Sequence, residues 1–253
     1  MDINSDIAYD YIRKRILNGE YEPGQGLMAK SLAAELRLSP TPVRDALRQL
    51  EADGLVTIKA RLGASVNTMD LKEFQDLCEL RLILESHTAG LAAMRRTDSD
   101  LKGIWLALEA MTRLTAELEA APKEQPLFHE LENADVRFHL AIISAARNDL
   151  IRKQILRLHL INRLVPGGGL KLPDEADPKE PAERAKRNAH RRDVLAEHRM
   201  IYDAIERRDV DGAGKAMKKS LEGMFDLHIR AMAHAEQDSM AKELTVQKLS
   251  EIG

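Results

Sequence analysis

Cysteine is nearly absent: Cys78 is the only one in 253 residues. An internal disulfide is excluded, and a lone thiol fits a reducing compartment. Aromatic residues are scarce at 4%, so few side chains favour pleated sheet. Alanine, leucine, glutamate and arginine are plentiful and favour helix. No apolar run approaches the roughly 20 residues that a membrane span needs. The N-terminus carries Asp2, Asp6 and Asp10 without an apolar stretch, so it does not read as a secretory signal. An excess of either charge is missing too. The chain has 38 Lys+Arg against 41 Asp+Glu, a formal net of −3. Over the whole chain, that balance argues against a nucleic-acid partner. With 44% hydrophobic and 31% charged residues the chain can still bury a core. Its length suits two ordinary domains or one large one.

What is present divides into a short mixed segment and a long helical one. Residues 6–18 set Ile7, Tyr11, Ile12 and Ile16 at near-helical spacing, with Gly19 as a stop. Leu32, Ala33 and Leu36 make an apolar face on a second helix, over 29–36. Val43, Ala46, Leu47 and Leu50 do so on a third, closed by Gly54. A residue before proline avoids helical angles, which predicts Thr41 as N-cap and Pro42 at the first helical position. Leu55-Val56-Thr57-Ile58, the turn Arg61-Leu62-Gly63 and Ala64-Ser65-Val66 read as a two-stranded hairpin. Three helices and a hairpin outline a winged helix-turn-helix.

From Asp70 onward the chain reads as helix only, over 71–95, 99–121, 127–147, 149–164, 183–208 and 210–236. Asp70-Leu71-Lys72-Glu73 opens it as a capping box. The Gly/Pro-rich stretch 165–182 reads as a loop long enough to be a lid over a pocket, and the last ~15 residues as a fraying or partner-contacting tail. The expected fold is therefore mainly α: a winged helix-turn-helix over 1–69 and an all-α helical bundle over 70–253.

Local charge departs from the total. Residues 28–63 hold six basic residues (Lys30, Arg37, Arg44, Arg48, Lys59, Arg61) and four acidic ones (Glu35, Asp45, Glu51, Asp53). Phosphate contact depends on such local placement. Arg44 and Arg48 share a helix face away from Val43, Leu47 and Leu50, where a guanidinium can fork onto guanine in the major groove. A solvated basic face is the plainer alternative.

Residues 16–67 resemble the N-terminal domain of the GntR family of bacterial transcription regulators. The likeness rests on Ile16-Leu17-x-Gly19, Pro23-Gly24, Leu32-Ala33, Leu38 through Leu47, and Leu50-Glu51-x-x-Gly54-Leu55-Val56 with the wing Gly63. The family usually has arginine at Pro40, and Asp45 is a conservative change. Because that arginine normally contacts DNA, the departure implies altered operator preference at one position or weaker affinity. By position, the resemblance implies DNA contacts from Lys30, Ser39, Thr41, Arg44, Arg48 and Gly63, the glycine by close backbone approach.

In the helical segment, Asp135 and His139 are one turn apart, and His198 lies inside another periodic helix. One carboxylate and two imidazoles are a plausible divalent-metal set, although a single histidine on a helix is usually an ordinary polar residue. Residues 71–236 resemble the FCD-type ligand-binding domain of the FadR subgroup. The likeness rests on Arg81 and Glu85, Asp135-x-x-Phe138-His139, Ala146-x-Asn148, and Glu197-His198-x-x-Ile201 followed by Ala216-Met217. Many members hold zinc or nickel through one Asp and three His. The third histidine falls at Ser220 here, and His228, eight residues on, lies roughly 12 Å further along a helix. The resemblance thus implies a divalent metal at Asp135, His139 and His198. It also implies a small acidic metabolite near Arg81, Asn133 and Ser220, with a surface ion pair to Glu85 as the alternative for Arg81.

These readings converge on a cytoplasmic homodimeric transcription regulator with no membrane partner, a repressor by the commoner family behaviour. It would bind double-stranded DNA at a pseudo-palindromic operator. Two alternatives stay open: a helical metalloenzyme using Asp135, His139 and His198 to activate water, and a constitutive DNA-binding protein without an effector.

Overall fold

The computed structural model describes residues 3–59, 63–121, 123–124, 127–162 and 181–250. Two compact units result. One holds the chain as far as Leu77 with the end of α7 (Asp149–Asn162) from Leu156. The other holds Cys78–Ile155 with α8 (Pro181–Glu206) and α9 (Val210–Ser250).

The first unit contains α1 (Ile3–Leu17), β1 (Gly26–Leu27), α2 (Ala29–Leu36), α3 (Pro40–Ala52), β2 (Val56–Lys59) and β3 (Gly63–Val66). Its core joins Ala8, Ile12 and Ile16 of α1 to Val43, Ala46, Leu47 and Leu50 of α3 and to Leu55, Val56 and Val66. Each large side chain so buried contributes about 1.5–3 kcal/mol. The inward face of α1 is Ser5, Ala8, Ile12 and Ile16. Ile7, expected on that face, is half exposed because the small Ala8 meets α3 instead. Tyr9 donates a 2.6 Å hydrogen bond to Asp53, tying α1 to the end of α3.

Helix α3 starts two residues earlier than the sequence predicts. Ser39 is the N-cap, with extended angles of φ −77 and ψ 158, and Thr41 lies within the first turn. Pro42 is tolerated there for two reasons. The first four N–H groups of a helix have no partner inside it, and the carbonyl its ring would strike belongs to Leu38, before the helix. At the other end the predicted glycine stop is present. Leu55 N–H donates to the Leu50 carbonyl and Gly54 N–H to that of Glu51, both at 2.9 Å, with Gly54 at φ +80.

The hairpin is part of a three-stranded antiparallel sheet, ordered β1-β3-β2. Lys59 pairs with Gly63 across β2 and β3, and Leu27 pairs with Ala64 across β1 and β3. The expected turn residues Arg61 and Leu62 lie outside the described residues.

The helical part opens with α4 (Leu71–Arg95). Its capping box forms as expected: Glu73 N–H donates to Asp70 Oδ1 at 2.7 Å, and Asp70 N–H donates to Glu73 Oε2 at 3.0 Å. A second box at Thr97 and Asp100 starts α5 (Asp98–Ala120). Ile104, Leu108, Met111, Leu114 and Leu118 form its buried stripe, and Ala134, Phe138, Ile142 and Ala145 form that of α6 (Leu127–Ala145). Helix α5 packs on α6 and α8, and α8 on α9. The predicted loop 165–182 lies outside the described residues apart from Pro181 and Ala182, which open α8. Helix α9 runs on through the expected tail to Ser250, since no glycine or proline after Gly223 interrupts a run of good helix formers until Gly253.

Candidate functional site

Two groups of candidate residues emerge, one in each unit. In the first, Lys30 is the second residue of α2, Ser39 precedes α3, and Thr41, Arg44 and Arg48 follow one another at helical spacing along α3. All five are exposed, as is Gly63 at the start of β3. Placing Thr41 inside the helix puts it in line with Arg44 and Arg48, three and seven residues on, so one face carries all three. Arg48 has only a loose 3.5 Å contact with Asp45, and both side chains are exposed. Gly63 has φ +94, a left-handed angle that side chains resist, and a Cβ there would meet nothing nearer than Met28 Sδ at 3.6 Å. The wing therefore offers bare backbone.

In the second unit, α6 supplies Asp135 and His139, and α8 supplies the buried His198. Asp135 Oδ1 lies 2.9 Å from His198 Nε2 and 4.0 Å from His139 Nε2, and the two Nε2 atoms are 3.2 Å apart. His198 Nδ1 is 2.8 Å from the Val194 carbonyl. A carbonyl only accepts, so Nδ1 carries the hydrogen and Nε2 faces the other two residues. The Phe138 ring, 4.9 Å away between centroids, packs against that imidazole. Burial pulls the His198 imidazolium down, but the hydrogen bond and charge of Asp135, with the Val194 carbonyl, outweigh it and raise the pKa overall. One carboxylate oxygen and two imidazole nitrogens meeting at one point fit a borderline divalent cation with further positions open. A Val194 carbonyl orienting His198 is the usual support for such a ligand.

Residues 4–66 match the family described as bacterial regulatory proteins, gntR family, and residues 76–223 match the FCD domain. The HTH-type transcriptional regulator LutR of Bacillus subtilis (strain 168) is 30% identical over 228 residues, covering 84% of this chain and 95% of that protein. The chain belongs to the GntR family of bacterial transcription regulators. The Galactonate operon transcriptional repressor of Escherichia coli (strain K12) is 28% identical over 223 residues, covering 80% of this chain and 87% of its own length. The solved structure of E. coli McbR/YncC shares the fold, with a TM-score of 0.67 at 19% identity over 93% of this chain and all of that one.

This GntR regulator is thus a DNA-binding transcription factor whose FCD domain responds to metabolites. The family is not one of enzymes, which removes the metalloenzyme reading of the trio, and its members act in the cytoplasm. No described helix is long and apolar enough to cross a membrane.

The remaining effector candidates fare differently. Arg81 is buried, its Nε donating to Glu85 Oε1 at 2.8 Å with both side chains about 97% covered. The ion pair anticipated at the surface is in the interior, under the Phe225 ring at 5.0 Å. Ser220 is also buried, on the face of α9 that carries Met217 and Leu221. Asn133 is exposed, and two residues from Asp135 it faces roughly the opposite side of α6, so the structure does not bring it to the trio.

Sequence reasoning missed a charged stripe on α8. Arg184, Arg187, Arg191, Val194 and His198 recur at helical spacing on one face. Glu124, between α5 and α6, is buried against two of the arginines. The signal was available: arginines occupy positions that continue the inward stripe of His198, Ile201 and Ile205.

Proposed function

We propose that the regulator reads its operator through Lys30, Ser39, Thr41, Arg44, Arg48 and Gly63, on a head spanning residues 1–69. We further propose that residues 70–253 bind a small organic acid at Asp135, His139 and His198. The observation that carries this reading is the convergence of three ligand atoms from α6 and α8 within 4.8 Å of one another. Asp135, His139 and His198 would hold zinc or nickel, and the ion would supply the positive charge that draws a carboxylate. The named target of one relative, the Galactonate operon repressor, is in keeping with an acid effector. A homodimer would set two α3 helices on the half-sites of a pseudo-palindrome, and the acid would act by binding DNA-competent and incompetent states unequally. Repression relieved by the acid is the expected sign.

The test uses the full chain and a DNA fragment from its own promoter region, followed by fluorescence anisotropy across a salt series. Binding that weakens with salt and with Arg44→Ala, and that an organic acid shifts, supports the reading. Elemental analysis should find zinc or nickel in the wild type and little in His139→Ala. No DNA binding even at low salt, or acid binding indifferent to His139, would sink it.

A further inference from the structure

We propose that Arg187 and Arg191 form an anion site whose internal occupant is Glu124, and that the second acidic group of a two-ended organic acid takes Glu124's place. This rests on the reading that the first acidic group binds at Asp135, His139 and His198.

The fork has the geometry of carboxylate recognition. Arg191 donates from Nη1 to Glu124 Oε1 at 3.0 Å and from Nη2 to Oε2 at 2.6 Å, while Arg187 Nη1 reaches Oε2 at 3.4 Å. Two parallel N–H bonds to one carboxylate are the strong bidentate form. The side chains of Arg191 and Glu124 are 9% and 7% exposed, so the pair is largely out of water. Asn188 Oδ1 accepts from Arg191 at 2.9 Å, and the Phe128 ring lies 6.0 Å from its guanidinium. The fork is therefore held in place by groups other than Glu124.

Charge and position favour a ligand there. Glu183 pairs with Arg187 at 2.8 Å, and Arg184 donates to the Ala121 carbonyl. Among the described residues, Arg184, Arg187 and Arg191 thus gather on one face of α8 beside Glu124 and Glu183. Glu124 belongs to no helix. A ligand carboxylate replacing it would exchange like for like, so the cost of burying the arginines is unchanged.

The fork and the trio lie along one seam. Arg191 and His198 are seven residues apart on one face of α8, and Phe128 and Asp135 are seven apart on one face of α6. Phe128 meets Arg191, and Asp135 meets His198. The two helices therefore run side by side in one direction, with the sites roughly 10 Å apart by helical rise. An acid with a carbon chain between two carboxylates is the class that spans them.

Calorimetric titration of the full chain with acetate, succinate, glutarate and adipate tests this. The diacid of matching length should bind at least about tenfold tighter than acetate, the size of one charge-assisted contact. Glu124→Gln, which keeps shape and removes the competing charge, should tighten the diacid again and leave the His139-dependent binding of acetate unchanged. Arg191→Met should reduce the diacid to the level of acetate. The less buried Arg187→Gln should weaken the diacid alone, and serves if Arg191→Met does not fold. Diacids no tighter than acetate, or a diacid affinity indifferent to both Glu124→Gln and the arginine variants, overturn the proposal. If acetate binds in a His139-dependent way while diacids gain nothing, the fork is wrong and the trio stands. If diacids bind through the arginines but His139→Ala changes nothing, the trio is wrong and the fork stands on its own. Absence of any acid binding overturns both.

Discussion

The Arg81–Glu85 pair gives the most direct test of how the helical part is built. The two side chains sit one turn apart on α4, 3% and 2% exposed, and are joined at 2.8 Å. Glu85→Ala removes the carboxylate that Arg81 Nε meets at 2.8 Å and leaves the buried positive charge without that counter-ion. Breaking a buried pair in this way costs about 3–5 kcal/mol. Arg81→Ala removes the guanidinium from beside the buried carboxylate and also loses the contact with Phe225, so its cost should be at least as large. Replacing both, as Arg81→Met with Glu85→Leu, removes both desolvation penalties and should fall within about 1 kcal/mol of wild type or exceed it. The measurement is urea unfolding followed by tryptophan fluorescence. Trp105 is the only tryptophan, and its ring lies 5.3 Å from that of Tyr202 within the same unit, so the signal reports on that unit. Arg81→Met and Glu85→Leu made singly, together with this double, form a cycle whose coupling isolates the pair. A cost for Glu85→Ala below about 1 kcal/mol, the range of exposed pairs, would refute the reasoning. So would a double variant as unstable as the two single losses added together.

Arg44→Ala should weaken operator binding by about 1–3 kcal/mol if it reads a base, or lower the salt slope by about 1 if it meets a phosphate, and anisotropy at several salt concentrations separates the two. Gly63→Ala has room for its methyl group but must hold φ +94, so it should cost about 1–2 kcal/mol in thermal denaturation of the reading head. Leu50→Ala, at a fully buried position, should cost about 2–5 kcal/mol there. Burial pushes the Cys78 thiol up to about 11, against a smaller opposite pull from Arg81. It stays neutral below that pH, so iodoacetamide at pH 8 should label the native protein far more slowly than the urea-unfolded chain.

Helix positions were largely legible because amphipathic periodicity is a local property. The stripes of α3 and α5, the capping box at Asp70 and the glycine stop at Gly54 are written in residues within a few positions of one another. The differences have both local and non-local causes. β1 is two residues, Gly26 and Leu27, with no alternation to detect, and it is a strand because β3 pairs with it. α3 starts earlier than the pre-proline bias at Thr41 predicts, because Pro42 lies in the first turn, where its missing N–H has no helical partner and the Leu38 carbonyl is outside the helix. Ile7 was put inward because the spacing of large residues hid the smaller Ala8 and Ser5. In the sensor, the types and spacing of Asp135, His139 and His198 suggested a cluster. Their meeting required α6 and α8 to lie together.

By itself the sequence determined the helical class, the family, the exposed Arg44–Arg48 face and the residue types able to hold a cation. These follow from propensity, periodicity and motif, which act along the chain. Only the tertiary structure decided that Arg81 and Glu85 are interior, that Asn133 faces away from the trio, and that Glu124 fills the arginine fork. Burial and the pairing of distant charges depend on which surfaces are brought together, and residues 63 or 67 positions apart in the chain leave no local trace of that.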